Sequence, residues 1–155
     1  MREHVEILVV YGSQYGNTQR IAQAIARALT SEHRVRVMPA AAASEIRGDD
    51  VDLLFVGAPT QMRGLRLLAK RFLDGLAERG FVGTAAAAFD TRMDLGPQLL
   101  GSTVISHHLV EAGCRLMMKP QSFLVLGLEG PLVDGEEERA EVWARAVVRA
   151  VGATV

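Results

Sequence analysis

The sequence predicts an α/β fold, with parallel strands at the centre and helices on both faces, and three observations carry that expectation. Apolar runs alternate with amphipathic segments along the chain. Two of the runs, residues 5–11 and 51–57, are apolar at most positions, as a strand buried on both faces requires. The junctions between runs fall on Gly, Pro, Ser, Asn and Asp, residues that end strands and open turns.

Taken in order, the first strand covers residues 5–11, and a helix over 17–30 follows with Ile21, Ile25 and Leu29 on one face. Residues 34–38 alternate polar with apolar, the pattern of a strand near a sheet edge. Residues 39–50 are ambiguous: Pro39 and the alanines before Ser44 suit a connector with a short helix ending near Gly48. The strand over 51–57 gives way to a loop at 58–64, then to a helix over 65–79 carrying Leu68, Phe72 and Leu76 and stopping at Gly80. In residues 81–89 four alanines favour helix, whereas Gly83 and the place in the alternation favour strand, and strand is the reading adopted. A loop at 90–97 precedes a helix over 98–112 that buries Leu100, Val104, Ile105 and Leu109 and closes at Gly113. Residues 115–119 and 123–128 form one strand interrupted at Pro120. The last helix, 135–151, has Glu136, Glu137 and Glu138 in its first turn and Arg145 and Arg149 later, matching the helix dipole, with Trp143, Val147 and Val151 facing the core.

Composition narrows the function classes. A chain of 155 residues with 49% hydrophobic and 23% charged content fits a single domain over 1–155 with a full core. The net charge of −1 offers no basic majority to displace counterions, which argues against a nucleic-acid binder. The lone Cys114 points to a reducing compartment and, with no His or Cys beside it, to a buried small apolar residue. With no signal-peptide core at residues 1–4 and no bilayer-length apolar run, a cytoplasmic protein without a membrane association is expected. His107 and His108, adjacent on a helix, are about 100° apart and poorly placed to share a metal, so one surface and one semi-buried histidine are expected. No Ser-His-Asp or Cys-His arrangement is present, and no catalytic residue is assigned.

The chemistry concentrates where the first strand stops. Gly12, Ser13, Gln14, Tyr15, Gly16, Asn17 and Thr18 lie between that strand and the first helix. The first turn of a helix has N–H groups without partners and the positive end of the dipole, so an anion is held there by amides and short polar side chains. Ser13, Asn17 and Thr18 are the side chains suited to the task; an ordinary turn with Asn17 or Thr18 as N-cap is the structural alternative. A nucleoside-triphosphate loop would need a lysine that this loop lacks, and the dinucleotide fingerprint Gly-x-Gly-x-x-Gly is absent. A terminal phosphomonoester gripped by neutral donors remains.

In that position, Ser-Gln-Tyr-Gly-Asn-Thr resembles the FMN-phosphate loop of flavodoxins, whose pattern is Ser/Thr-x-x-Gly-Asn-Thr. Further segments, V-G-A-P-T, A-A-F-D-T-R and S-F-L-V-x-G-x-E-G-P-L-V-D-G-E-x-x-R-A, are similar to those of flavodoxin-domain proteins of bacteria and archaea. The resemblance implies a flavodoxin-like three-layer sandwich, a five-stranded parallel sheet of order 2-1-3-4-5, with a ligand crevice at the carboxyl ends of strands one and three. It implies FMN as cofactor, with Ser13, Gln14, Tyr15, Gly16, Asn17 and Thr18 in the phosphate loop, Pro59, Thr60, Gln61 and Met62 in the second flavin loop, and Asp90, Thr91 and Arg92 in the third.

Two departures shape the functional expectation. Flavodoxins that shuttle electrons are markedly acidic, whereas this chain is nearly neutral. They also sandwich the flavin ring between aromatics, and the second and third loops here hold none; Met62 either lies against a ring face or is an ordinary loop or core methionine, and Tyr15 is placed to cover the ribityl edge. Arg92 either lies beside the flavin, where a cation would raise the two-electron potential, or pairs with Asp90 at the surface. Arg63, Arg66, Lys70 and Arg71, with no acid among them, are either a solvated face or a basic rim for an acidic redox partner or the phosphates of NAD(P)H. The expected function is an FMN-binding electron carrier; the alternatives are an NAD(P)H-dependent flavin reductase of quinones and an interaction module of the same fold that no longer binds FMN.

Overall fold

Apolar strands separated by helices satisfy their backbone groups by pairing side by side, and the helices then cover both faces of the sheet. The computed structural model describes residues 4–153, with only the backbone described at 62–64 and 153. The strands are β1 (Glu6–Tyr11), β2 (Arg34–Pro39), β3 (Leu53–Pro59), β4 (Ala85–Arg92), β5 (Arg115–Leu116) and β6 (Gln121–Leu124). The α-helices are α1 (Asn17–Leu29), α2 (Ala40–Ala43), α3 (Met62–Leu68), α4 (Gly101–Glu111) and α5 (Glu136–Ala153). All paired strands run parallel in the order β2-β1-β3-β4-β5, with β6 also on β4. This is the expected order 2-1-3-4-5, and the fold is flavodoxin-like α/β. The anticipated fifth strand is present as two pieces around Pro120: β5 pairs with Ala85 and Ala86 at the start of β4, and β6 pairs with residues 89–92 at its end.

Side-chain alternation splits the core into two layers. Ile7, Val9, Phe55, Ala85, Ala87 and Phe89 face α1 and α5, meeting Ile21, Ile25, Leu29, Trp143 and Val147. Leu8, Val10, Leu54, Val56, Ala86 and Ala88 face the opposite layer, meeting Leu68, Phe72, Leu76, Phe81, Ile105 and Leu109. Cys114 belongs to the second layer, where burial pushes its thiol up to about 11. The strands β1, β3 and β4 are buried on both faces, and β2, at the edge, is only half covered.

Several boundaries differ from the sequence expectation. The helix expected at 65–79 begins earlier, at Met62, loosens into a wide π-type turn at Ala69–Leu73 and gives way to turns from Asp74. Leu68, Phe72 and Leu76 are buried nonetheless. The strand expected at 81–89 runs from Ala85 to Arg92, because Phe81 is taken up by a clasp around Arg79. The Arg79 guanidinium lies 5.0 Å from the Phe72 ring centroid and 5.7 Å from that of Phe81, and donates to the carbonyls of Phe72 and Ser44. The helix expected from residue 98 starts at Gly101, leaving Leu100 and Val104 half-buried.

The alanine run in β4 is a strand because bulk is supplied from elsewhere. Phe89 projects across β3, where a Cβ added to Gly57 would collide with its ring. Three edge-to-face ring pairs join Phe89, Phe123 and Trp143, with centroids 5.9–6.3 Å apart. Glu136 then locks α5 to β6: its Oε2 accepts the Leu124 N–H at 2.6 Å, and both carboxylate oxygens accept from Arg139 at 2.8 Å. The Arg139 hydrogen bonds hold the Glu136 carboxyl below the usual glutamate range, aided by the Leu124 N–H and opposed by burial.

Gly57→Ala should lower unfolding free energy by about 1–3 kcal/mol in urea titrations, the cost of forcing a methyl against an immobile ring. Glu136→Gln should cost about 1–3 kcal/mol at neutral pH. Because folding lowers this pKa, the natural protein's advantage over Glu136→Gln exists above the ordinary glutamate range and disappears as pH falls through the lowered value. Stability curves of the two proteins measured across that range should therefore converge in acid.

Candidate functional site

Parallel strands deliver their carboxyl ends to one edge, so the loops after β1, β3 and β4 meet there. They enclose a cavity of about 620 Å³. Ser13, Gln14, Tyr15, Asn17 and Thr18 line it from the first loop, Pro59, Thr60 and Gln61 from the second, and Thr91 and Arg92 from the third. Three expected residues stand apart. Gly16 forms the turn without lining this cavity, Asp90 is buried beneath it, and the Met62 side chain lies outside the described residues, as does that of Arg63.

Gly16 opens α1 with φ 88°, a left-handed conformation that glycine adopts without strain. Its N–H donates to Ser13 Oγ at 3.0 Å, and its carbonyl accepts the first helical bond from Arg20 N–H. The N–H groups of Asn17, Thr18 and Gln19 therefore have no acceptor within the helix. Asn17 Nδ2 donates to the Glu129 carbonyl at 3.2 Å, tying this turn to the loop after β6. The buried hydroxyls of Thr18 and Thr91 hydrogen-bond at 2.7 Å, fastening the first turn of α1 to the end of β4. In such a pair one hydroxyl donates and the other keeps its proton available for a further acceptor.

The third loop is arranged by α4. Asp90 Oδ2 accepts the Ser102 N–H at 2.8 Å and Thr60 Oγ1 accepts the Gly101 N–H at 3.1 Å, so two residues distant in sequence satisfy the opening amides of that helix. Asp90 and Arg92 do not form the surface pair that the sequence left open, since Asp90 is fully buried and Arg92 pairs with Asp94 at 3.7 Å. Arg92 Nε is buried without a hydrogen-bond partner.

The cavity walls combine apolar groups with cations. Leu65, Met93, Val104 and Val125 lie along it, and Leu95, Leu99 and Leu128, respectively 69%, 69% and 50% exposed, reach into its mouth. Arg66 and half-buried His108 also line it, while among the described residues no carboxylate does. Sequence reasoning did not assign the leucines, Met93, Gln98 or His108 to the site; the available signal was three large apolar residues in segments rich in Gly and Pro, where burial in the core is not expected. Among the described residues no cluster of three or more His, Cys, Asp or Glu could hold a metal ion, and no helix is long and apolar enough to cross a membrane.

Open amides, hydroxyls, carboxamides, an unpartnered arginine nitrogen and a carboxylate-free lining suit a phosphorylated ligand with an apolar ring system. The family model for Flavodoxin matches residues 9–89, more than half of the 155-residue chain. The chain belongs to the flavodoxin family. Among solved structures, flavodoxin 2 of Bacillus cereus superposes with a TM-score of 0.75 at 23% identity, covering 93% of this chain and 98% of that one. A flavodoxin from the domain Archaea gives a TM-score of 0.71 at 20% identity over 95% and 99% of the two chains. The rubredoxin:oxygen oxidoreductase of Desulfovibrio gigas matches 96% of this chain with only 36% of its own length, at a TM-score of 0.64 and 18% identity. At these identities the structural likeness is one of fold. No curated protein sequence matches the chain. Within the flavodoxin-family match lie the first and second loops; the third, from Asp90 on, lies wholly beyond it and is joined to the first through Thr18 and Thr91.

A double-mutant cycle with Thr18→Val and Thr91→Val should give a coupling energy of about 0.5–1.5 kcal/mol in unfolding free energy. Additive losses would show that the two loops are fastened by something other than this hydroxyl pair.

Proposed function

We propose that the protein binds FMN non-covalently in the cavity between the three loops and carries electrons between partners. The observation supporting this reading most directly is a cavity of about 620 Å³, free of carboxylates, at the carboxyl ends of β1, β3 and β4, with the unsatisfied amides of α1 on one side and exposed leucines on the other. On this reading the N–H groups of Asn17, Thr18 and Gln19, the Ser13 hydroxyl and the one hydroxyl proton left free by the Thr18–Thr91 pair hold the phosphate, with Gly16 shaping the turn, Gln14 and Tyr15 over the ribityl chain and Asn17 bracing the turn. Pro59, Thr60 and Gln61 line one side of the ring, and Thr91 and Arg92 the other, while Asp90 acts indirectly by fixing α4. Leu95, Leu99 and Leu128 take the place of stacking aromatics, excluding water from the ring by apolar contact. FMN would supply the one- and two-electron chemistry, and the chain would set its binding and potential.

Arg92 is the residue expected to tune that potential: a cation with an unpartnered Nε would favour the anionic reduced form. The exposed cations Arg66, Lys70 and Arg71 suit an acidic protein partner or, on a second reading, NAD(P)H in a flavin-dependent reductase. Arg66 at the cavity itself favours keeping that second reading. We further propose that residues 1–155 act as a single domain in the cytoplasm, in keeping with the lone, buried Cys114.

Titration of the purified protein with FMN, followed by visible absorption, should show saturable one-to-one binding; a protein that remains colourless would support the interaction-module reading. Arg92→Ala should lower the two-electron midpoint potential by roughly 30 mV or more, equivalent to a tenfold shift in the relative stability of the reduced form. An unchanged potential and affinity would remove Arg92 from the site.

A further inference from the structure

A second cavity, of about 530 Å³, lies against the far side of the turn that follows β1. Ser13 and Gln14 line both cavities, so this turn is a shared wall rather than a boundary. Arg71 contributes a cation and Gln19 a carboxamide, while Leu67 and Pro39 form an apolar wall; among the described residues no carboxylate lines it. α3 and the wide turn that follows it thus place one arginine at each cavity, Arg66 at the first and Arg71 at the second. A single phosphomonoester needs only the first set of donors. Two linked phosphates followed by a flat heterocycle would use the shared hydroxyl and carboxamide, the second cation and the apolar wall together.

We propose that the second cavity is a subsite for the adenylate half of a dinucleotide, with its pyrophosphate crossing the turn at Ser13 and Gln14. The proposal rests on the flavin reading for its ligand's other half, and two sources share this chemistry: the adenylate of FAD, continuous with the flavin, and that of a separate pyridine dinucleotide. Arg71 is exposed and outside the core, so its substitution leaves the fold intact.

The test compares FMN, FAD and ADP binding by calorimetry and flavin-fluorescence quenching, with the natural protein and with Arg71→Glu. FAD binding at least about tenfold tighter than FMN assigns the subsite to the flavin's own adenylate. Equal flavin affinities, with ADP or NADPH binding to the FMN-loaded protein, assign it to a pyridine dinucleotide. In either case Arg71→Glu should weaken the adenylate-bearing ligand about tenfold while leaving FMN affinity within about twofold. FAD no tighter than FMN together with no ADP binding, or an Arg71→Glu variant with unaltered adenylate affinity, overturns the subsite and leaves the flavin reading standing. ADP binding weakened by Arg71→Glu in a protein that takes neither flavin supports the subsite and overturns the flavin reading; no binding by any of the three overturns both.

Discussion

A parallel sheet brings every strand to the same edge with its direction of travel unchanged, and the helix that must follow each strand starts there with amides it cannot satisfy itself. The molecule resolves that constraint differently at its two key helices. At α4 the opening amides of Gly101 and Ser102 are taken by Thr60 and Asp90, and the end is closed. At α1 the side chains nearest the opening have partners elsewhere, Ser13 on Gly16, Asn17 on Glu129 and Thr18 on Thr91. The first closed helix end stabilises the frame, and the second remains a place where an anion is favoured.

Those partners also give the site its rigidity. Three loops that would each be mobile alone are joined side chain to side chain or side chain to backbone: the first to the third through two hydroxyls, the first to the loop after β6 through Asn17, and the second to α4 through Thr60. Loops braced in this way hold a ligand without first having to be ordered by it, which spares conformational entropy on binding.

The parts of this arrangement governed by local pattern were legible in the sequence. The unbroken apolar character of β1 and β3, the spacing of Ile21, Ile25 and Leu29, and the core positions of Trp143 and Val147 follow from burial alone, and the structure places them as expected. The strand order followed from the resemblance carried by residues 13–18 and the segments after it, and the sheet bears it out. What was illegible depends on partners remote in the chain. Nothing near Gly101 announces that α4 begins there, because its capping groups come from Thr60 and Asp90. Phe81 has the character of a strand residue, yet Arg79 and Phe72 claim it, so β4 starts at Ala85. The leucines of the cavity mouth were hidden for a related reason: apolar residues are normally informative by being buried, and Leu95 and Leu99 are informative by being exposed.

The Arg79 clasp separates one stretch of the chain from the rest. Residues 74–84 have neither helix nor strand, and a single guanidinium reaches from them to Phe72, Phe81 and Ser44. A planar, permanently charged fork can serve all of these at once, which a lysine ammonium cannot do. One side chain thus covers both Phe72 and Phe81, so losing the guanidinium would uncover two core rings of the second layer in a single step.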